Sequence, residues 1–282
     1  MHTLYAKTAG QDGSTFTKTI HKTTYPTIDP ARPELSQAGR TVVITGGSAG
    51  IGFAIAQGFA QAGAKHIIIL GRRQNVLDEA VSQLHKEYPS VKIDGRQSDV
   101  ANLDETDALW KSFENDGIFV DVLVLNAALV SAGSPILELG RDEIWSQYLV
   151  NFLVSLSTEA AHNFARASLW PAYSTTKNAG TMLLQRIAND TPAEKMQIIN
   201  FHPGVVYTDV FKPFVPRDIY PFDDEKLGSH FAVWAASDEA RFLHGRFVWA
   251  AWDIDELRTG EIKKNIDNNP EFLQVGIVGL QQ

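Results

Sequence analysis

Tyr173 and Lys177 stand four positions apart in Tyr173-Ser-Thr-Thr-Lys177, a spacing that puts both side chains on one face of a helix. A phenol with its ordinary pKa of about 10 is a poor acid or base near neutrality. An ammonium group held beside it stabilises the phenolate and makes proton transfer at neutral pH feasible. Spacing alone decides little, because Tyr-x-x-x-Lys also occurs on ordinary exposed helices. Its weight comes from what precedes it along the chain.

Thr45-Gly46-Gly47-Ser48-Ala49-Gly50-Ile51-Gly52 is a glycine-rich turn between a β-branched run and an amphipathic stretch. Glycines at 46, 50 and 52 let the backbone turn tightly and let a pyrophosphate approach with no Cβ in the way. The free N–H groups and dipole of the helix that follows then point at the anion. Gly46, Ser48, Gly50, Ile51 and Gly52 are therefore the candidate phosphate-side contacts. The alternative is a turn that serves packing only; the strand before it and the helix after it favour a dinucleotide. The next strand ends in Leu70-Gly71-Arg72-Arg73, where an NAD site would carry an acid for the ribose 2′-hydroxyl. Two guanidinium groups suit a 2′-phosphate in charge and forked geometry, which points to NADP(H); the competing reading is a pair of solvated surface charges.

The elements that must position these groups read as strands alternating with helices. Thr41–Thr45, His66–Leu70, Val91–Arg96 and Val120–Leu125 have the look of buried strands, with Met196–Phe201 and Gly245–Ala251 following later. Ile51–Ala62, Asn75–Tyr88, Leu103–Asp116, Glu143 to about Glu159, and Ala172 to about Asn189 have helical patterns. Such alternation predicts an α/β fold, a doubly wound Rossmann-type parallel sheet in a single domain. Residues 1–40, Thr-rich with Pro26, Pro30 and Pro33, predict an irregular amino-terminal arm. Residues 41–282 are expected to form one dinucleotide-binding domain, ending in a polar tail.

Together, Thr45-Gly-x-x-x-Gly-Ile-Gly52, Ser98-Asp99-Val100, Asn126-Ala-Ala128, Asn151, Tyr173-x-x-x-Lys177 and Pro203-Gly-Val-Val-Tyr-Thr208 resemble the short-chain dehydrogenase/reductase family over about residues 41–252. The arm and the ending Phe247-Val-Trp-Ala-Ala-Trp-Asp253 resemble, more weakly, a subgroup common in fungal secondary metabolism. The resemblance implies that Tyr173 is the acid–base residue and that Lys177 also binds the nicotinamide ribose. It implies that Asn151 anchors a proton-relay water, Asp99 holds the adenine and Asn126 steadies the sheet beside the cofactor. Val206 and Thr208 would hold the carboxamide. It further implies a homodimer or homotetramer.

One part of the family pattern is short. The family places a substrate-orienting Ser at the end of a fifth strand, about thirteen residues before the Tyr, where this chain has Ala160. Only 21 residues separate Asn151 from Tyr173, while finishing a helix, turning, running a strand and leading into the next helix takes roughly 26. The fold class therefore carries the expectation that one central strand between Asn151 and Tyr173 is lacking or distorted. Three readings account for this. Phe152–Leu156 is recruited as a short strand, with Ser155 or Ser157 as a displaced substitute; a coding segment has been dropped, as a misplaced splice junction does; or the chain is a catalytically weakened variant.

Aromatic and proline residues from Asp209 to Phe222 suit a lid, about residues 209–230, over an apolar or aromatic substrate; a loop packed on the sheet edge is the plainer alternative. Trp249 and Trp252 read as core or interface. Among 282 residues, 25 Lys+Arg face 33 Asp+Glu, a net charge of −8 that argues against a nucleic-acid partner. With no Cys, disulfides, thiolate metal sites and Cys nucleophiles are excluded, and the scattered His give no metal site. No apolar run approaches the ~18 residues of a membrane span, and no signal-peptide core opens the chain. The expectation is a cytoplasmic, NADP(H)-dependent oxidoreductase acting on a small carbonyl or secondary alcohol, with no membrane partner. The alternative is a nucleotide-binding pseudoenzyme or scaffold without turnover.

Overall fold

Branching at Cβ disposes Thr41–Thr45 to extended backbone, and this run is β1. It pairs in parallel with β2 (His66–Gly71), Thr41 opposite His66 and Ile44 opposite Ile69. The computed structural model describes residues 15–129, 156–163, 167, 170–209, 212, 216–218 and 220–276. β3 (Lys92–Gln97) lies outside β2, and β4 (Val122–Val124) pairs with the other edge of β1, giving a four-stranded parallel sheet in the order β3-β2-β1-β4. Val42, Ile44, Ile67 and Ile69 belong to the large core on one face, and Val43, Ile68 and Leu70 to a smaller cluster with Phe113 on the other. Burial on both faces explains why these strands are apolar throughout.

Helices α1 (Gly50–Gln61), α2 (Gln74–Glu87) and α3 (Leu103–Asn115) are the crossovers. α3 starts where Asn102 accepts the N–H groups of Asp104 and Glu105, while Glu105 reaches back to the Asp99 N–H at 2.8 Å, a reciprocal cap. α1 packs on a later helix, α5 (Glu225–Ala235), through Gly58: a Cβ there would stand 2.5 Å from Ser229 Oγ. That hydroxyl donates to the Ala54 carbonyl at 2.6 Å, so the close approach is also a hydrogen bond. α4 (Pro171–Asp190) takes the fixed φ of Pro171 in its first turn.

Beyond α4 the sheet does not continue as one. β5 (Asn200–His202) and β6 (Phe247–Trp249) form a separate two-stranded parallel sheet, and among the described residues no strand lies between Val124 and Asn200. Residues 156–158 join no strand, Thr158 having extended backbone, and Glu159–Ala161 is a 3₁₀ turn. The interruption falls where the chain arithmetic put a lacking or distorted central strand, and Leu123 on β4 is left 42% exposed. Phe152–Ser155 and most of the helix expected from Glu143 lie outside the described residues; Leu156–Thr158 are not helical.

Other boundaries shift for local reasons. The strand expected from Met196 begins at Asn200, because Met196 N–H closes a turn on Pro192 and Ile198 N–H goes to His244 Nδ1. The tail expected to be plainly polar folds into α6 (Ile254–Leu257) and α7 (Gly260–Asn268), burying Ile254, Leu257 and Ile266. The described part of the arm, residues 15–40, is irregular apart from 3₁₀ turns at Pro26–Ile28 and Pro33–Leu35 and docks on the carboxy-terminal region; Ile28 and Leu35 are fully buried and Ile20 bridges to Trp252. Trp249 and Trp252 are buried and stacked, ring centroids 6.0 Å apart.

Candidate active site

The turn after β1 is tight because its glycines leave no room for anything else. Gly46 and Gly50 have positive φ, 63° and 54°. A Cβ on Gly52 would lie 2.3 Å from the Gly46 carbonyl oxygen and 2.4 Å from Asn126 Nδ2. Asn126, just beyond β4, donates from Nδ2 to the Thr45 and Gly46 carbonyls at 2.9 and 3.2 Å. Thr45 Oγ1 in turn accepts the N–H groups of Asn126 and Ala127 at 3.0 and 2.9 Å. The loop is thus fixed from behind by its neighbouring strand, and its form suits a bound pyrophosphate.

Thr208 arrives from the turn after β5: a Cβ on Gly50 would stand 3.3 Å from its Cγ2. Val206 is buried, and its carbonyl accepts the Thr208 N–H at 3.0 Å. On the other side, a Cβ on Gly71 would be 3.1 Å from Ser48 Oγ, so the absence of an acid there leaves Ser48 its space. Arg72 and Arg73 follow with exposed side chains. Asp99 is half-buried; its Oδ1 accepts the Ala101 N–H at 3.0 Å. Ser98 Oγ beside it is buried without a hydrogen-bond partner among the described residues, which fits a polar group presented there by a nucleotide. The structure therefore brings Gly46, Gly50, Gly52, Asn126 and Thr208 into one cluster, with Ser48 set against Gly71.

A second cluster is built on α4. Tyr173 sits in its first turn, and Lys177, 1% exposed, lies one turn on with Nζ 5.9 Å from the phenol ring centroid. The segment 157–161 packs along the same helix: Ser157 Oγ is 2.6 Å from Thr181 Oγ1, and Asn178 Nδ2 donates to the Ala161 carbonyl at 2.6 Å. Ser157, one of the two expected substitutes, is thereby committed to Thr181. Ser155 and Asn151 lie outside the described residues. Ala160 is buried in the 3₁₀ turn. The side chain beside the phenol is Thr158, whose hydroxyl acts to lower the phenol's pKa and accepts the Ala160 N–H at 3.4 Å.

Electrostatics here depart from the simple expectation. Burial pushes the Tyr173 phenol up to about 12, with the nearby Thr158 hydroxyl acting in the opposite direction. Burial likewise brings Lys177 down to about 7. Desolvation, which disfavours both charged forms, outweighs the attraction expected of the pair. At neutral pH the phenol is held protonated, ready to donate.

Known proteins resemble this chain in sequence and fold. The short chain dehydrogenase family matches residues 40–168. A short chain dehydrogenase/reductase of Claviceps purpurea (strain 20.1) is 30% identical over 283 residues, covering 93% of this chain and 94% of that protein. The chain belongs to the short-chain dehydrogenase/reductase family. Another such relative, the short chain dehydrogenase/reductase AacuD of Aspergillus aculeatus, is 29% identical, covering 93% of this chain and 96% of that one. Among solved structures, L-sorbose reductase from Gluconobacter frateurii, complexed with NADPH and L-sorbose, overlays with a TM-score of 0.68 at 22% identity, covering 77% of this chain and 96% of that one. The RhlG/NADP active-site complex of Pseudomonas aeruginosa overlays with a TM-score of 0.69 at 18% identity, covering 77% of this chain and 97% of that one. These overlays bear out the single-domain Rossmann-like α/β fold for this short-chain dehydrogenase/reductase. No helix among the described residues is long and apolar enough to cross a membrane.

Counting thirteen residues back from Tyr173 missed Thr158, because the shortened interval invalidates the count. The signal available was the hydroxyl-bearing run Ser155, Ser157 and Thr158. Thr45, which holds two backbone N–H groups behind the loop, was legible only as a strand residue.

Proposed function

We propose that the chain is an NADP(H)-dependent oxidoreductase that reduces the carbonyl of a small apolar or aromatic molecule to a secondary alcohol. The observation that carries this reading is Tyr173, one helical turn from the buried Lys177, whose Nζ stands 5.9 Å from the phenol ring centroid, with Thr158 beside the phenol. In reduction, Tyr173 donates its proton to the substrate oxygen while Thr158 orients that oxygen. Lys177 lies in the same helix face; protonated, it would favour the phenolate left behind. Asn151, outside the described residues, would anchor a relay water, as the family resemblance implies. NADP(H), when bound, supplies or accepts the hydride. The Gly46–Gly52 turn with Ser48 and Ile51 would hold its pyrophosphate, Arg72 and Arg73 the 2′-phosphate, Asp99 the adenine, and Val206 with Thr208 the carboxamide. The NADPH of the overlaid L-sorbose reductase and the NADP of the overlaid RhlG complex support the choice of cofactor.

We infer a lid at about residues 209–230, of which residues 225–230 begin α5. We also infer a cytoplasmic enzyme assembled from like subunits, working in fungal secondary metabolism; the fungal sources of its relatives support that setting. A second reading, nucleotide binding without turnover, draws on the sheet interruption between β4 and β5. One experiment separates them: NADPH oxidation with a panel of ketones and quinones, by the wild type and by Tyr173→Phe. Turnover lost in the variant, with NADPH binding kept, supports the enzyme. Tight NADPH binding by a wild type with no turnover supports the second reading, and turnover that survives the substitution removes Tyr173 from its role. Arg72→Asp should move preference from NADPH toward NADH; an unchanged preference rejects Arg72 as the 2′-phosphate contact.

A further inference from the structure

The amino-terminal arm does more than cover apolar surface. Its anchors are mostly remote from the dinucleotide turn: Lys18 and Thr19 donate N–H groups to Glu256 at 2.7 and 2.8 Å, and His21 Nε2 lies 2.8 Å from Asp253. Lys22 is different. Its Nζ stands 2.8 Å from Oδ1 of Asp223, whose side chain is 5% exposed, and 5.8 Å from the Tyr220 ring centroid. Its carbonyl accepts the Asp224 N–H at 2.9 Å, so backbone and side chain hold the same short segment.

Asp223 is in turn locked to the turn after β5. Its Oδ2 accepts the Val205 N–H at 2.7 Å, and its own N–H donates to the Val205 carbonyl at 2.9 Å. Gly204, with φ of 100°, makes the approach feasible, since a Cβ there would stand 2.9 Å from Oδ2. Val205 is followed by Val206, and Thr208 ends against Gly50. A buried carboxylate needs a counter-charge and hydrogen bonds to stay ionised at low cost. Lys22 supplies the first and Val205 the second.

We propose that Lys22 is a positioning residue that acts through Asp223 to set the Val205–Thr208 segment and so the nicotinamide end of the dinucleotide site; this rests on the NADP(H) reading above. Without the ammonium, the carboxylate is drawn toward water and releases the Val205 N–H. The arm then becomes part of the binding machinery, acting on one end of the cofactor and leaving the adenine end alone.

The test uses the full chain with Lys22→Met, Lys22→Arg and Glu256→Gln, the last cutting a remote arm anchor. Two readouts are taken: amide hydrogen exchange at Val205 in the free protein, and calorimetric affinity for NADPH and for adenosine 2′,5′-bisphosphate, which lacks the nicotinamide. Lys22→Met should speed Val205 exchange and weaken NADPH about tenfold, the scale of one charge-assisted contact, leaving the bisphosphate unchanged. Lys22→Arg should restore both, and Glu256→Gln should alter neither. Unchanged Val205 exchange in Lys22→Met overturns the clamp. Unchanged NADPH affinity, or equal weakening of NADPH and bisphosphate, overturns the positioning role. A wild type that binds neither nucleotide overturns the dinucleotide reading instead, whatever the exchange at Val205 shows.

Discussion

Thr158, fifteen positions earlier in the chain, sits beside the Tyr173 phenol. Its hydroxyl favours the ionised phenol, against a burial effect that is larger. Thr158→Val keeps the shape and removes the hydroxyl, so the phenol should titrate still higher. The expected result is a fall in kcat of about 10²-fold, the scale of losing one polar group at the reacting oxygen, while Thr158→Ser stays within a few-fold. Steady-state ketone reduction measures both; a Val variant as active as the wild type would remove Thr158 from the site.

Lys177 makes stability depend on pH with a defined sign. Burial brings its folded pKa down to about 7, whereas the unfolded chain titrates near 10.4. Between those values the unfolded state binds more protons, so stability rises with pH through this window. Below about pH 7 the penalty of a buried ammonium is present in full. Lys177→Met should therefore raise Tm most at pH 6, by several degrees at about 2–4 °C per kcal/mol, and its advantage should shrink by pH 9. Thermal unfolding at pH 6, 7.5 and 9 tests this, short of the range where Tyr173, raised by burial, begins to act. An advantage constant across the three values contradicts the assignment.

Much of this was open to reading from residue types alone. The apolar β-branched runs 41–45 and 66–70 became β1 and β2, and the Gly46–Gly52 turn lies between strand and helix as its glycines require. The short interval before Tyr173 also announced an interrupted sheet. Other features depend on contacts distant in sequence, which local pattern does not encode. The place of Thr158 depends on how an atypical segment packs along α4, with Ser157 drawn off by Thr181. Helices α6 and α7 stabilise a polar stretch through three spaced isoleucine and leucine side chains in a core built elsewhere. The raised phenol follows from burial, which outweighs the nearby ammonium that i, i+4 spacing promised.

Gly52 should be intolerant of even one methyl group. A Cβ there meets the Gly46 carbonyl oxygen at 2.3 Å and Asn126 Nδ2 at 2.4 Å, both held in the network behind the loop. Overpacking of this kind costs about 1–3 kcal/mol, and the displaced turn loses its fit to a phosphate. Gly52→Ala should lower Tm and weaken NADPH binding at least about tenfold, the ratio that 1.4 kcal/mol of misfit represents. Gly276→Ala, where a Cβ meets nothing within 4 Å, is the control. Equal affinity in the two variants would show that the turn does not hold the cofactor.

Glu239 fastens the arm to the body of the protein. Its carboxylate accepts Arg32 Nη2 at 2.7 Å, Arg258 Nη2 at 2.6 Å and Trp234 Nε1 at 3.1 Å. The two guanidinium groups, Arg32 foremost, hold it down to about 2. A depressed carboxylate contributes stability that is present above its ordinary pKa of about 4.3 and is lost as pH falls toward the folded value. Each arginine keeps about a quarter of its side chain in water, 27% and 29% exposed, so screening holds the contribution to about 1–3 kcal/mol. Glu239→Gln keeps the shape and one acceptor but removes the charge. Urea unfolding should show the full deficit at pH 7 and at pH 5, then a narrowing gap at pH 3.5 and 2.5, as the unfolded chain takes up a proton at Glu239 that the folded protein still refuses. A deficit that stays level down to pH 2.5 would mean that shape, and not charge, is what Glu239 contributes.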